Sequence, residues 1–122
     1  MILSLISGIY ATILGIGILG LWFMLLFTRQ VPELETEPIA ISFHITAESL
    51  MGILSLLSGI LMLVNLQWSL YLFILTMGLV IYAVINSAGY YGQRKEWGFV
   101  IMFAIILIIT ISLVLLNFIF SF

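Results

Sequence analysis

The residues best suited to chemistry are His44 and Glu48, four positions apart near the start of an apolar segment. His44 is the only histidine, and Glu48 is the only carboxylate inside an apolar segment. Residues at this spacing share one face of a helix. Burial disfavours the charged form of each group, whereas their attraction favours it, so the pair is expected to exchange a proton near neutral pH. We predict a proton relay or proton-linked binding site, with a structural hydrogen bond between helices as the alternative.

Three further polar residues are predicted to line a ligand pocket around Glu48. Tyr82, Asn86 and Tyr90 lie near the end of the third apolar segment, four positions apart. Their polar tips and aromatic or apolar surroundings suit a cation or a small amphipathic ligand. The alternative for Tyr90 is an anchor at a membrane interface, where tyrosine and tryptophan are common. Trp22, near the end of the first apolar segment, is also interpreted as such an anchor.

Metal, cofactor and nucleophilic chemistry are not indicated. A zinc site takes three or four protein ligands, and this chain has one histidine and no cysteine. No cofactor, metal ligand or catalytic residue is therefore assigned. A non-enzymatic protein is favoured, and an intramembrane enzyme, which would need a second catalytic group, is the third alternative. With three Lys and Arg residues in 122 positions, it has no basic patch for nucleic acid.

Four apolar segments carry these residues. Hydrophobic residues make up 65% of the chain and charged residues 7%, whereas soluble domains contain about 25% charged residues. About 20 apolar residues in a helix span a bilayer, which predicts helices at about 2–27, 39–64, 70–90 and 98–120. We predict one domain, residues 1–122, forming an all-α integral membrane protein. Its fold would be a four-transmembrane-helix bundle with up-down topology and short loops.

Small residues mark the expected contact between the first two helices. Gly8, Ala11 and Gly15 recur at helical spacing in the first segment. The face of His44 and Glu48 continues through Gly52, Ser55 and Gly59. Small residues let membrane helices approach closely, so the polar pair is predicted to face inward. Between these helices, two prolines and three glutamates in residues 28–38 disfavour regular helix.

The basic residues predict an orientation in the cell membrane. Arg29, Arg94 and Lys95 all fall within residues 28–38 and 91–98. The positive-inside rule then places both loops in the cytoplasm and both termini outside. A bundle this small encloses little volume, so the expected partners are the lipid bilayer and either further copies of the chain or a larger membrane complex. A structural or accessory subunit of such a complex is the alternative function.

The stretch Gly89-Tyr-Tyr-Gly-Gln-Arg94, followed by a last segment rich in Ile and Met, resembles the third loop of some small multidrug resistance exporters. The resemblance covers about six residues and implies four membrane helices that exchange protons for cationic drugs. That family uses an essential glutamate in its first helix. Here the first apolar segment has no charge and Glu48 lies in the second, so no residue role is transferred.

Overall fold

The computed structural model describes residues 2–29 and 33–121, and long helices dominate it. The elements are α1 (Ile2–Phe27), α2 (Glu33–Thr36), α3 (Pro38–Leu63), α4 (Ser69–Gln93) and α5 (Trp97–Ser121). All of these except α2 are long and apolar enough to cross a membrane. The prediction of an all-α fold with four such helices is therefore confirmed.

Two local features differ from the sequence-based expectation. One turn of helix, α2, lies in the proline-containing stretch where no regular helix was expected. Helix α4 also continues through Gln93, three residues beyond the predicted end. Its last turn is held against α5 because the Tyr91 ring stacks on Phe99 at 4.7 Å and on Phe103 at 5.8 Å between ring centres.

Glycines allow α1 and α3 to touch backbone to backbone. A Cβ atom on Gly15 would lie 2.6 Å from the Leu56 amide nitrogen and 2.7 Å from the Gly52 carbonyl oxygen. Real Cβ atoms do not approach other atoms so closely, so only glycine fits at this position. The small-residue faces predicted from the sequence therefore meet each other. Ser55 strengthens the contact by donating a hydrogen bond to the Ala11 carbonyl oxygen at 2.8 Å.

Helix α4 supplies most of the apolar core, through Phe73, Met77 and Val80, which are fully buried. It packs between α3 and α5. Large apolar side chains remain exposed on the outward faces of all four long helices. The protein therefore buries one face of each helix and leaves the others apolar, the reverse of a surface suited to water.

Three hydrogen bonds that involve side chains join α1 to α5. The Tyr10 hydroxyl lies 2.7 Å from the Thr110 hydroxyl and also donates to the Ile106 carbonyl oxygen at 3.3 Å. Further along the same interface, the Asn117 amide nitrogen donates to the Ser7 hydroxyl at 3.0 Å. These bonds join polar groups at an interface that is otherwise apolar, and they fix how α5 is rotated against α1. Within the described residues, Asn117 Oδ1 is buried there without a hydrogen-bond partner.

A double-mutant cycle on Tyr10 and Thr110 is expected to show that their contact is coupled. Tyr10→Phe and Thr110→Val each remove one hydroxyl and retain the surrounding side-chain volume. Each variant should lose roughly 1 kcal/mol of the free energy of unfolding, and the double variant should lose less than the sum. Reversible unfolding in mixed micelles measures this. Strictly additive losses would contradict the contact.

Candidate functional site

The candidate site is built on the first turns of α3. Because His44 and Glu48 are four residues apart in this helix, His44 Nε2 lies 3.0 Å from Glu48 Oε2. The His44 side chain is 40% exposed and the Glu48 side chain only 16%. His44 is thus the outer member of the pair, open to the surroundings, and Glu48 is the inner member.

Helix α1 completes the site with Trp22. The indole Nε1–H donates a hydrogen bond of 2.6 Å to Glu48 Oε1. The indole and imidazole rings also meet edge to face, with their centres 5.7 Å apart and their planes at 74°. This placement depends on the glycine contact between α1 and α3, since that contact brings the end of α1 beside the start of α3.

Both carboxylate oxygens of Glu48 are engaged, but the two contacts differ chemically. The indole can only donate a hydrogen bond, so Glu48 Oε1 is the acceptor. The His44 contact needs one proton between the two groups, held either by the imidazole or by the carboxyl group. The contact between Nε2 and Oε2 therefore shares one proton. Such an arrangement can exchange protons or trade a proton for a cation.

The site lies well inside the span of α3. At a rise of 1.5 Å per residue, His44 is about 9 Å and Glu48 about 15 Å along the axis from Pro38. The same end of the bundle carries the basic residues Arg29, Arg94 and Lys95, which follow α1 and α4. Glu48 is therefore about two-fifths of the way along a helix 26 residues long.

The other predicted site residues lie elsewhere on the surface. Tyr82 is 72% exposed, and Asn86 is also exposed, both on the outward face of α4. Tyr90 is 46% exposed and accepts a hydrogen bond of 3.0 Å from Arg94 Nη1. The hydrogen-bond and ion-pair contacts of Glu48 are Trp22 and His44. That Tyr82, Asn86 and Tyr90 line a ligand pocket stays a prediction.

Trp22 is the site residue that the sequence analysis did not assign. A tryptophan near the end of an apolar helix occupies the same sequence position whether it anchors the helix at the membrane interface or donates a hydrogen bond to a carboxylate on another helix. Only its register against Glu48, set by Gly15 and Gly8 about two and four turns earlier in α1, could have indicated the difference. Across residues 2–29 and 33–121, no group of three or more His, Cys, Asp or Glu side chains is placed to hold a metal ion.

The chain was compared with protein-family models, curated proteins and solved structures. No curated protein and no solved structure shows significant similarity to this chain. A family model does match, and it covers residues 1–121, which is nearly the whole sequence. The chain therefore belongs to the family described as Domain of unknown function (DUF8058).

Proposed function

We propose that the four long helices cross a cell membrane in alternating directions. Their length, their apolar composition and the large apolar side chains left exposed around the bundle support this setting. The basic residues Arg29, Arg94 and Lys95 gather at one end, which favours the cytoplasmic side for the loops of residues 28–38 and 91–98. Both termini then lie outside.

We further propose that His44 and Glu48 form a protonatable membrane site that binds a cation or a small amphipathic ligand in exchange for a proton. The observation that carries this proposal is the Glu48 carboxylate, which is largely buried between His44 and the indole of Trp22. Glu48 accepts the proton or the cation. His44, the more exposed of the pair, passes protons between Glu48 and the loop side. Trp22 holds the carboxylate in place.

Energetics favour this role over a purely structural one. Placing an acidic side chain near the centre of a membrane helix costs about 3 kcal/mol. Hydrogen bonds between membrane helices contribute about 0.6 kcal/mol each on average. The Trp22 bond joins α1 to α3 and offsets only a small part of that cost, and the His44 contact lies within α3 and joins no two helices. Packing alone therefore gives little reason for a carboxylate at this position.

Binding of the lipophilic cation tetraphenylphosphonium to the full chain in lipid vesicles tests the proposal. If the cation displaces a proton from Glu48, its affinity should rise with pH, by up to about tenfold per pH unit while Glu48 is protonated. Glu48→Gln removes the titrating group and should abolish both this pH dependence and most of the binding. Glu35→Gln makes the same substitution in the exposed loop stretch and should bind as the unaltered chain does.

A fluorescence readout separates loss of the site from loss of the fold. Replacing Trp68 and Trp97 with Phe leaves Trp22 as the single tryptophan. Its emission should change with pH, because the indole donates directly to the titrating carboxylate. In the Glu48→Gln background the emission should no longer respond to Glu48 titration. Cation binding with unchanged affinity and pH dependence in Glu48→Gln would refute the proposal.

A further inference from the structure

The outward face of α4 carries two glycines and an exposed carboxamide. Residues at alternating spacings of three and four form it: Leu75, Gly78, Tyr82, Ile85 and Gly89, with Asn86 beside them. All are exposed, and neither glycine would bring an added Cβ within 4 Å of another atom. We call these six residues the α4 outer face. This spacing is that of a helix seam that meets a second helix.

Asn86 is the residue that a lipid environment would not satisfy. It lies seven residues before Gln93, the last residue of α4, which is about 10 Å along the axis. Its carboxamide has no hydrogen-bond partner within the part of the chain that the structure describes, residues 2–29 and 33–121. An amide exposed to hydrocarbon without partners is unfavourable.

Three exposed residues with hydroxyl groups on α3 and α5 are satisfied within their own helices. The hydroxyls of Ser42, Thr46 and Ser112 each donate to the carbonyl oxygen four residues earlier, at 2.6, 2.8 and 2.7 Å. A hydroxyl bonded in this way can face lipid at little cost. The carboxamide of Asn86 offers two donors and an acceptor, so a single backbone carbonyl would not satisfy it.

We propose that the α4 outer face is the contact between two copies of this chain, related by a two-fold axis. The carboxamide is its own complement, so Asn86 of one copy can both donate to and accept from Asn86 of the other. The shape is also self-complementary, since Gly78 lies one turn from Tyr82 and leaves space for the other copy's ring. No charged residue occurs on this face. The proposal depends on the membrane setting but not on the His44 and Glu48 site.

Disulfide cross-linking in vesicles tests the contact, because the chain has no cysteine of its own. Ile85→Cys should give, on mild oxidation, a covalent species of twice the chain mass. Ile108→Cys places a thiol on the exposed face of α5 and is the matched control, expected to stay monomeric. Equal cross-linking from both positions, none from Ile85→Cys, or a product whose mass shows a different protein would overturn the proposal.

Substitution of the amide gives a second, quantitative test. Energy transfer between labelled copies in vesicles measures the association constant. Asn86→Leu should weaken association by about tenfold, as expected for the loss of a hydrogen-bonded polar contact between membrane helices. Ser112→Leu replaces a polar residue on the outward face of α5 and should leave association unchanged. Association unaffected by Asn86→Leu would overturn the assigned pairing, and retained helical circular dichroism shows that the variant is folded.

Discussion

A Gly15→Leu variant is expected to lose the contact between α1 and α3 and about 3 kcal/mol of the free energy of unfolding. The first atom of the new side chain would already lie 2.6 Å from the Leu56 amide nitrogen, a backbone atom that cannot rotate away. The two helices must therefore separate. Since the same contact aligns Trp22 with Glu48, the Trp22 emission should also stop responding to pH. Unfolding in mixed micelles, followed by tryptophan emission, measures both effects.

Gly17→Leu is the matched control for this prediction. It adds the same side chain to the same helix, two residues away, where an added Cβ has no atom within 4 Å. Both variants increase the hydrophobicity of α1 equally, so a difference between them reports packing and not membrane insertion. The Gly17 variant should change the free energy of unfolding by at most about 0.5 kcal/mol. Equal destabilisation by both would contradict the close α1–α3 contact.

Glu48→Leu is expected to favour membrane insertion while removing function. Leucine at this position should make insertion of α3 more favourable by about 3 kcal/mol, because an acidic side chain no longer enters hydrocarbon. In the full chain, loss of the Trp22 and His44 contacts offsets roughly 1 kcal/mol of that gain. Insertion is measured with α3 placed in a host membrane protein that carries glycosylation sites on both sides. Tetraphenylphosphonium binding by the full chain should be lost.

Ala47→Leu is the control, since it adds leucine at the neighbouring exposed position and retains the carboxylate. It should favour insertion only slightly and leave cation binding intact. A ligand-binding role and a structural role for Glu48 predict opposite effects of Glu48→Leu on stability. If Glu48 serves mainly to hold helices together, the full-length Glu48→Leu chain should be markedly less stable to unfolding. A stable, well-inserted chain without cation binding is the result that a functional carboxylate predicts.

The proposed two-fold contact through α4 is independent of the site at His44 and Glu48. A monomer offers His44 and Glu48 a small site on one side of the bundle. Pairing through Asn86 would cover polar surface that lipid cannot satisfy. Because the cross-linking test and the cation test use different residues, one proposal can fail while the other stands.

The helices were predictable from the sequence because their cause is local. A run of apolar residues long enough to span a bilayer satisfies its backbone hydrogen bonds within one helix. The face that carries Gly52, Ser55 and Gly59 was predictable for a similar reason, since small residues at helical spacing indicate close packing. The extension of α4 to Gln93 was not, because it depends on Tyr91 stacking against α5.

Local sequence is enough to predict four apolar helices and to place His44 and Glu48 on one face of the second. Which residues contact that face depends on how the helices pack. Large apolar side chains also lie on the outward faces of these helices, so hydropathy alone gives little signal for the rotation of a helix about its axis. Backbone contact at Gly15 sets that rotation for α1 and brings Trp22 to Glu48, 26 positions away in the chain. Packing of Phe73 and Met77 in the core sets the rotation of α4 about its axis and turns Asn86 outward.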